Sequence, residues 1–161
     1  MKQHYFSRDT KEFLYLLHQY GVEYVIVGGE AVIFYGHARL TGDLDIFYNP
    51  SLENRKRLYN ALLQFWEGDI PGIREPDDLS EDTVVQFGVP PNRIDLIGSI
   101  EDVAFEEAWA TRVKDVLRWR GKKFPIYYIE LDLLISNKKA VGRPRDQEDI
   151  KYLLEAKRRR K

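Results

Sequence analysis

Asp43 and Asp45 stand two residues apart at the head of Asp43-Leu44-Asp45-Ile46-Phe47-Tyr48, a run whose other members are apolar or aromatic. Bounded by Gly42 and by Asn49-Pro50, this composition predicts a β-strand. Alternation along a strand sends both carboxylates to one face and turns Leu44 toward the core. Any fold of this chain must give those two like charges either water or a positive counterpart, because adjacent unpaired charges repel and burying them is costly. Two readings fit: a solvated edge strand with an acidic face, or a site for a hard cation such as Mg²⁺, which binds carboxylates together with substrate phosphates.

Asp95 repeats the pattern in Arg93-Ile94-Asp95-Leu96-Ile97, an acid inside another apolar run. If this strand lies beside that of Asp43, three carboxylates meet, the minimum set for two metal ions roughly 4 Å apart. The other reading pairs Asp95 with Arg93 or Arg39. Upstream, Tyr24-Val25-Ile26-Val27 reads as a short strand that ends at Gly28-Gly29 and passes into a helix over Glu30 to Tyr35. Glycines there let backbone approach a ligand, and a helix N-terminus offers free N–H groups to phosphate. Many strand-to-helix turns carry two glycines; what matters here is the order of strand, Gly-Gly, helix, loop and Asp-x-Asp strand.

Elsewhere, Asp9 with Glu12 predicts a capped helix with Phe13, Leu16, Leu17 and Tyr20 on one face, stopped by Gly21. Pro50-Ser51 opens a helix that buries Leu58, Ala61, Leu62 and Phe65. Glu67 to Asp82, rich in Pro, Gly and acids, reads as a surface loop. Thr83 to Gly88 and Arg93 to Ile97 read as strands joined by the turn Pro90-Pro91-Asn92, and Ser99 with Asp102 predicts a cap for a helix running to about Ala110. Arg112 to Arg120 and Lys123 to Ile129 form a hairpin around Gly121, with Val113, Leu117 and Trp119 on one face and Lys114, Arg118 and Arg120 on the other. Two helices close the chain, Glu130 to Ala140 and Pro144 to Arg159.

Composition narrows the function classes. The 161 residues suit one domain, and 25 basic against 26 acidic side chains give no bulk charge pointing to a nucleic acid or membrane partner. With no cysteine there is no disulfide scaffold and no thiolate metal site. No apolar run approaches the ~20 residues a bilayer requires, and the start of the chain is polar with no signal-peptide pattern, so a soluble cytoplasmic protein is expected. The histidines at 4, 18 and 37 are too scattered for a zinc cluster. The basic hairpin, with Lys122 and Lys123 near its turn, and the terminal run Lys157 to Lys161 read either as RNA-phosphate contacts or as a charged edge and a helix C-terminus in solvent.

Val25-Ile26-Val27-Gly28-Gly29-Glu30-Ala31, followed by Gly36, Arg39, Thr41 and Asp43-Leu44-Asp45, resembles the polymerase β-type nucleotidyltransferase superfamily. Its signature is Gly-Gly or Gly-Ser, then Asp-x-Asp, then a distant third acid. Arg-x-Thr-x-Asp-Leu-Asp, with Leu134-Ile135 through Lys138, Gly142-Arg143, Asp146 and Asp149-Ile150, looks most like small bacterial and archaeal members, including toxins of abortive-infection (type IV) toxin–antitoxin systems. The resemblance implies an α/β (α+β) fold, a small mixed sheet packed by helices: a core over 1–129 that carries the basic hairpin, and a helical cap of the same domain over 130–161.

It also implies roles. Asp43, Asp45 and Asp95 bind two Mg²⁺ or Mn²⁺ ions, and Asp95 helps activate the acceptor hydroxyl. Gly28 and Gly29 hold the triphosphate of an NTP, and Arg39 and Thr41 contact the nucleotide or brace the metal loop. Lys138 neutralises phosphate charge and Asp146 orients it. The activity implied is transfer of a nucleoside monophosphate to a hydroxyl of tRNA or protein, with an antitoxin as a further partner and no membrane. The chain departs from many relatives at Glu30, an acid beside the expected triphosphate, and in its small size, which puts the acceptor site in doubt. A catalytically silent nucleotide-binding relative and an RNA-binding module using the hairpin are the alternatives.

Overall fold

The computed structural model describes residues 6–90 and 92–160; Pro91 of the expected turn, His4 and Lys161 lie outside them. The chain runs α1 (Arg8–Gln19), β1 (Tyr24–Val27), α2 (Gly28–Phe34), β2 (Asp43–Tyr48), α3 (Leu52–Phe65), a 3₁₀ turn (Pro76–Asp78), β3 (Val84–Phe87), β4 (Arg93–Ile97), α4 (Phe105–Ala110), β5 (Val113–Trp119), β6 (Lys122–Tyr128), α5 (Leu131–Val141) and α6 (Pro144–Arg159). The strands form one six-stranded mixed sheet in the order β3-β4-β2-β1-β6-β5. This is the expected α+β architecture, a mixed sheet packed by helices.

Register fixes the site. β2 pairs in parallel with β4, with Asp43 opposite Arg93 and Asp45 opposite Asp95. On its other side β2 runs antiparallel to β1, with Asp45 opposite Val27. The three acids therefore gather where β1 ends and β2 and β4 begin. Val25, Ile26, Ile46, Phe47, Leu96 and Tyr128 fill the middle of the sheet with almost no exposure. Phe47, on the same face as Asp43 and Asp45, packs edge-on against Phe105 of α4, with ring centroids 5.2 Å apart.

α3 packs on α1, where the Phe13 and Phe65 rings meet edge to face at 5.3 Å. Asn54, 1% exposed, anchors α3 to the strand ends: its Oδ1 accepts the Glu23 N–H at 2.7 Å, and its Nδ2 donates to the Glu23 and Asn49 carbonyls at 3.0 and 2.8 Å. Such a buried amide with its groups satisfied sets the position of the helix as well as stabilising it.

The helix starts differ from expectation in three places. α1 is capped by Ser7, whose Oγ accepts the Thr10 N–H at 3.2 Å, so Asp9 lies inside the first turn, where its charge suits the helix dipole. Ser99 and Asp102 do not cap α4. Instead Ile100 and Val103 form an isolated bridge with Asp102 at φ 63°, and the helix begins only at Phe105. A short acid that tolerates the left-handed region serves a tight turn there as well as a cap would. α2 begins at Gly28 itself, two residues ahead of Glu30. Arg120 belongs to the turn of the hairpin rather than to a strand face: Arg120 and Gly121 both have positive φ, 49° and 75°, as a two-residue hairpin turn of matching twist requires. Among the described residues no helix is long and apolar enough to cross a membrane.

Leu62 is fully buried between α3 and the core. Leu62→Ala is expected to lower stability by about 2–5 kcal/mol, read as a shift of the urea midpoint with the slope unchanged.

Candidate active site

At the end of β1 the backbone turns sharply at Gly28, with φ +66°. A Cβ there would overlap the Oδ2 of Asp45, so the carboxylate occupies the room that any side chain at position 28 would need. A Cβ at Gly29 would press on Thr41 Oγ1 at 2.8 Å and Arg39 Nη2 at 3.0 Å. Both glycines thus let the β1–α2 turn lie directly against the Asp45 strand and the loop before it.

Asp43, Asp45 and Asp95 each offer a carboxylate oxygen, and the three oxygens lie within 4.8 Å of one another. Burial and the neighbouring charges of Asp43 and Asp95 push the Asp45 carboxyl well above the usual carboxylate range. Its Oδ1 is buried and has no hydrogen-bond partner among the described residues. Asp43 receives the Thr41 hydroxyl at a long 3.3 Å. Asp95 is held firmly: Arg93 Nε donates to Oδ1 at 2.9 Å and Nη2 to Oδ2 at 3.0 Å. Of the two pairings open for Asp95, the Arg93 one is made. A buried, orphaned oxygen in a group of hard carboxylate donors fits a divalent cation.

Glu30 lies in the first turn of α2, where burial and then the charge of Asp43 push its carboxyl up to about 6, against a lowering by Arg39. With Ser7, Thr10, Thr41, Asp43 and Arg93 it borders a small cavity of about 90 Å³ beside the three acids. A roomier concavity of about 720 Å³, bordered by Tyr15, His18, Lys122 and Lys123, lies at the hairpin-turn end of the sheet, away from the carboxylates.

A second cluster sits behind the loop that precedes β2. Gly142, at φ +70°, closes α5, and Pro144 starts α6 one residue after Arg143, so the two helices pack face to face. That turn brings Lys138 Nζ to 3.0 Å from Asp146 Oδ1 and 3.2 Å from Asp149 Oδ2, with all three side chains buried. Asp149 Oδ2 also accepts a hydrogen bond from Arg39 Nη2 at 3.2 Å, while its Oδ1 lies at ion-pair distance from Arg39 Nε, 3.2 Å, and His37 Nδ1, 3.3 Å, with no hydrogen bond to either. The His37 ring stacks on Tyr152 at 3.6 Å. Arg39 is therefore committed to Asp149 and not to Asp43.

Asp146 additionally accepts the Arg143 backbone N–H at 3.1 Å and its guanidinium Nε at 2.8 Å. Arg143 is the exposed cation of the group, its side chain 64% accessible. Its guanidinium is held protonated chiefly by Asp146, against a smaller opposing effect of burial, and the charges of Asp45 and Asp149 add to this.

Asp149 belongs to the stretch that carries the resemblance, but in the sequence it reads equally well as a favourable acid near a helix start. Its partner Arg39 lies 110 positions away, and no local pattern encodes that contact.

A family model described as "Nucleotidyltransferase of unknown function (DUF6036)" matches residues 8–155. The chain belongs to that family. No curated protein matches it. The family description makes the chain a nucleotidyltransferase at the level of reaction class, and the matched span takes in both the three-aspartate cluster and the Lys138–Asp149 network.

Two outcomes follow from this geometry. Gly28→Ala combines a left-handed backbone with an overlap on Asp45, and a loss of more than about 1 kcal/mol is expected in urea unfolding. Burial alone would raise the Asp146 carboxyl, but the bonds from Arg143 and Lys138 outweigh it and hold it down at about 2, below its ordinary 3.8. A carboxyl lowered in the folded state contributes stability above its unfolded value, and that contribution disappears as pH falls from 3.8 toward about 2. Asp146→Asn should therefore be less stable at neutral pH and lose less than the parent across that acid window, measured by chemical denaturation at each pH.

Proposed function

We propose that this nucleotidyltransferase transfers a nucleoside monophosphate from an NTP to a hydroxyl group, releasing pyrophosphate, with divalent metal ions bound by Asp43, Asp45 and Asp95. The observation that carries the reading is the meeting of the three carboxylates within 4.8 Å, with Asp45 Oδ1 buried and unpartnered. Mg²⁺ or Mn²⁺ bound there supplies charge neutralisation at the phosphates and a more acidic acceptor hydroxyl. In the reaction the acceptor oxygen bonds to the α-phosphorus, the α–β P–O bond breaks, and the acceptor proton leaves toward Asp95.

The chain's own groups do the positioning. Gly28 and Gly29 keep the β1–α2 turn thin, so that its backbone can approach the triphosphate. Thr41 steadies Asp43, and Arg39, gripped by Asp149, braces the loop that carries Thr41. Lys138 and Asp146 hold α5 and α6 together as a cap on the core, and the exposed Arg143 of their network, on which the charge of Asp45 acts, is available to substrate phosphates. Catalysis of this kind is mostly placement and charge compensation. The acceptor is a hydroxyl of RNA, with tRNA the first choice, or of a protein. A toxin of the abortive-infection type with a cognate antitoxin, acting in the cytoplasm, is the biological setting this reading favours, by likeness of motif.

A second reading is nucleotide binding without transfer. It is favoured by one observation, the bidentate hold of Arg93 on both oxygens of Asp95.

Label transfer separates the two. The protein is incubated with Mg²⁺, each α-labelled NTP in turn, and total tRNA or lysate. Label is expected on RNA or protein, and Asp43→Ala with Asp45→Ala should reduce it at least about a thousandfold. No label on any acceptor, with Mg²⁺-dependent NTP binding retained, would select the silent relative. RNA affinity that falls steeply with salt and is indifferent to Asp43→Ala would instead point to the basic hairpin as an RNA-binding surface.

A further inference from the structure

Arg93 and Asp95 are two apart on β4 and so share the face that carries Asp45. The guanidinium fork meets the carboxylate with two nearly equal bonds, 2.9 and 3.0 Å. Each of these charge-assisted bonds uses one lone pair of an oxygen that a metal ion would also use, and fixes a positive charge beside it. Among the described residues Asp43 and Asp45 have no such cationic partner. Arg39 is bound to Asp149, and Thr41 gives Asp43 only a long hydroxyl contact. The cluster is thus asymmetric: both oxygens of Asp95 already meet a cation, and those of Asp43 and Asp45 do not.

We propose that Arg93 is a built-in cation that gates the second metal position, leaving Asp43 and Asp45 to take the first ion and admitting a second at Asp95 only when the guanidinium turns away.

This deepens the proposed function and rests on its metal-centre reading. The side chains differ in a way that permits the motion: Arg93 is 32% exposed and Asp95 9%. Arg93 also borders the small cavity that Glu30 and Asp43 share, so a displaced guanidinium has space and a carboxylate to meet. A positive charge stays beside the acids in either arrangement, and Asp95 is never left buried without a partner, the outcome that costs most. Arg93 is a positioning residue here. It controls when Asp95 becomes available, and an anionic substrate that draws the guanidinium out favours the second ion. The site then completes itself in the presence of substrate rather than before it.

The test is Mn²⁺ binding, followed through the paramagnetic resonance signal of the free ion, so that no turnover is required. Wild type is expected to bind one ion well and a second at least about tenfold more weakly, the scale of losing one to two charged hydrogen bonds. Arg93→Gln should tighten the second ion about tenfold or more and leave the first within about threefold. Arg93→Lys keeps the charge but loses the fork, and should fall between the two; it carries the test if the Gln variant does not fold, as judged by circular dichroism.

A second-ion affinity unchanged or weakened in the folded variants overturns the gate. Asp43→Asn with Asp45→Asn tells this apart from failure of the metal centre. Ions bound by wild type and lost in that double variant, without an Arg93 effect, overturn the gate alone. No Mn²⁺ bound by wild type or by Arg93→Gln overturns both.

Discussion

The parallel pairing of β2 with β4 sets Asp45 beside Asp95, and with Asp43 it brings three carboxylates, one buried and two half-buried, within 4.8 Å of one another. Like charges this close disfavour the folded state unless something compensates them. Much of the surrounding structure can be understood as a response to that crowding. Arg93 covers one carboxylate, and burial with its neighbours' charge pushes Asp45 up so that a proton is held more tightly there. The α2 turn has no side chain where Asp45 needs room. The apolar interior of the sheet makes the arrangement affordable, since β1 and the inner parts of β2 and β4 are buried almost completely.

The Lys138 network solves a different problem, that of holding two helices and a loop against the acidic end of the sheet. Two buried aspartates, Asp146 and Asp149, share Lys138 and reach outward to Arg143 and to Arg39 with His37. Ion pairs of this kind contribute less to net stability than to uniqueness of position, because removing water from the charges offsets most of their attraction. Here they join α5 and α6 to the loop before β2. The sign of the network also matters. Its cations outnumber its acids, and the surplus is carried on Arg143, the member left most exposed.

Much of this was legible in the chain. The strands carrying the acids, the hairpin and the closing helices follow from apolar runs bounded by Gly, Pro and Asn, and those signals are local. Asp43 and Asp45 could be assigned to one face from spacing alone. Their meeting with Asp95 could not, because it depends on strand order, which only the packing of the whole sheet decides. The Ser99–Asp102 pattern misled because the same short polar residues serve caps and tight turns equally well. Asp149 stayed ambiguous for a related reason: an acid near a helix start has an adequate local explanation, and only the docking of α6 against the β2 loop gives it a second one.

Gly28 and Asp45 occupy one space between them: the carboxylate oxygen stands where the smallest side chain at position 28 would go. The two positions are therefore not free to drift separately. A side chain at 28 would disturb the acid, and it would also strain the backbone, which takes φ +66° there. The glycine is therefore required twice over, once by the turn and once by the carboxylate, and loss of the acid alone would remove only the second requirement.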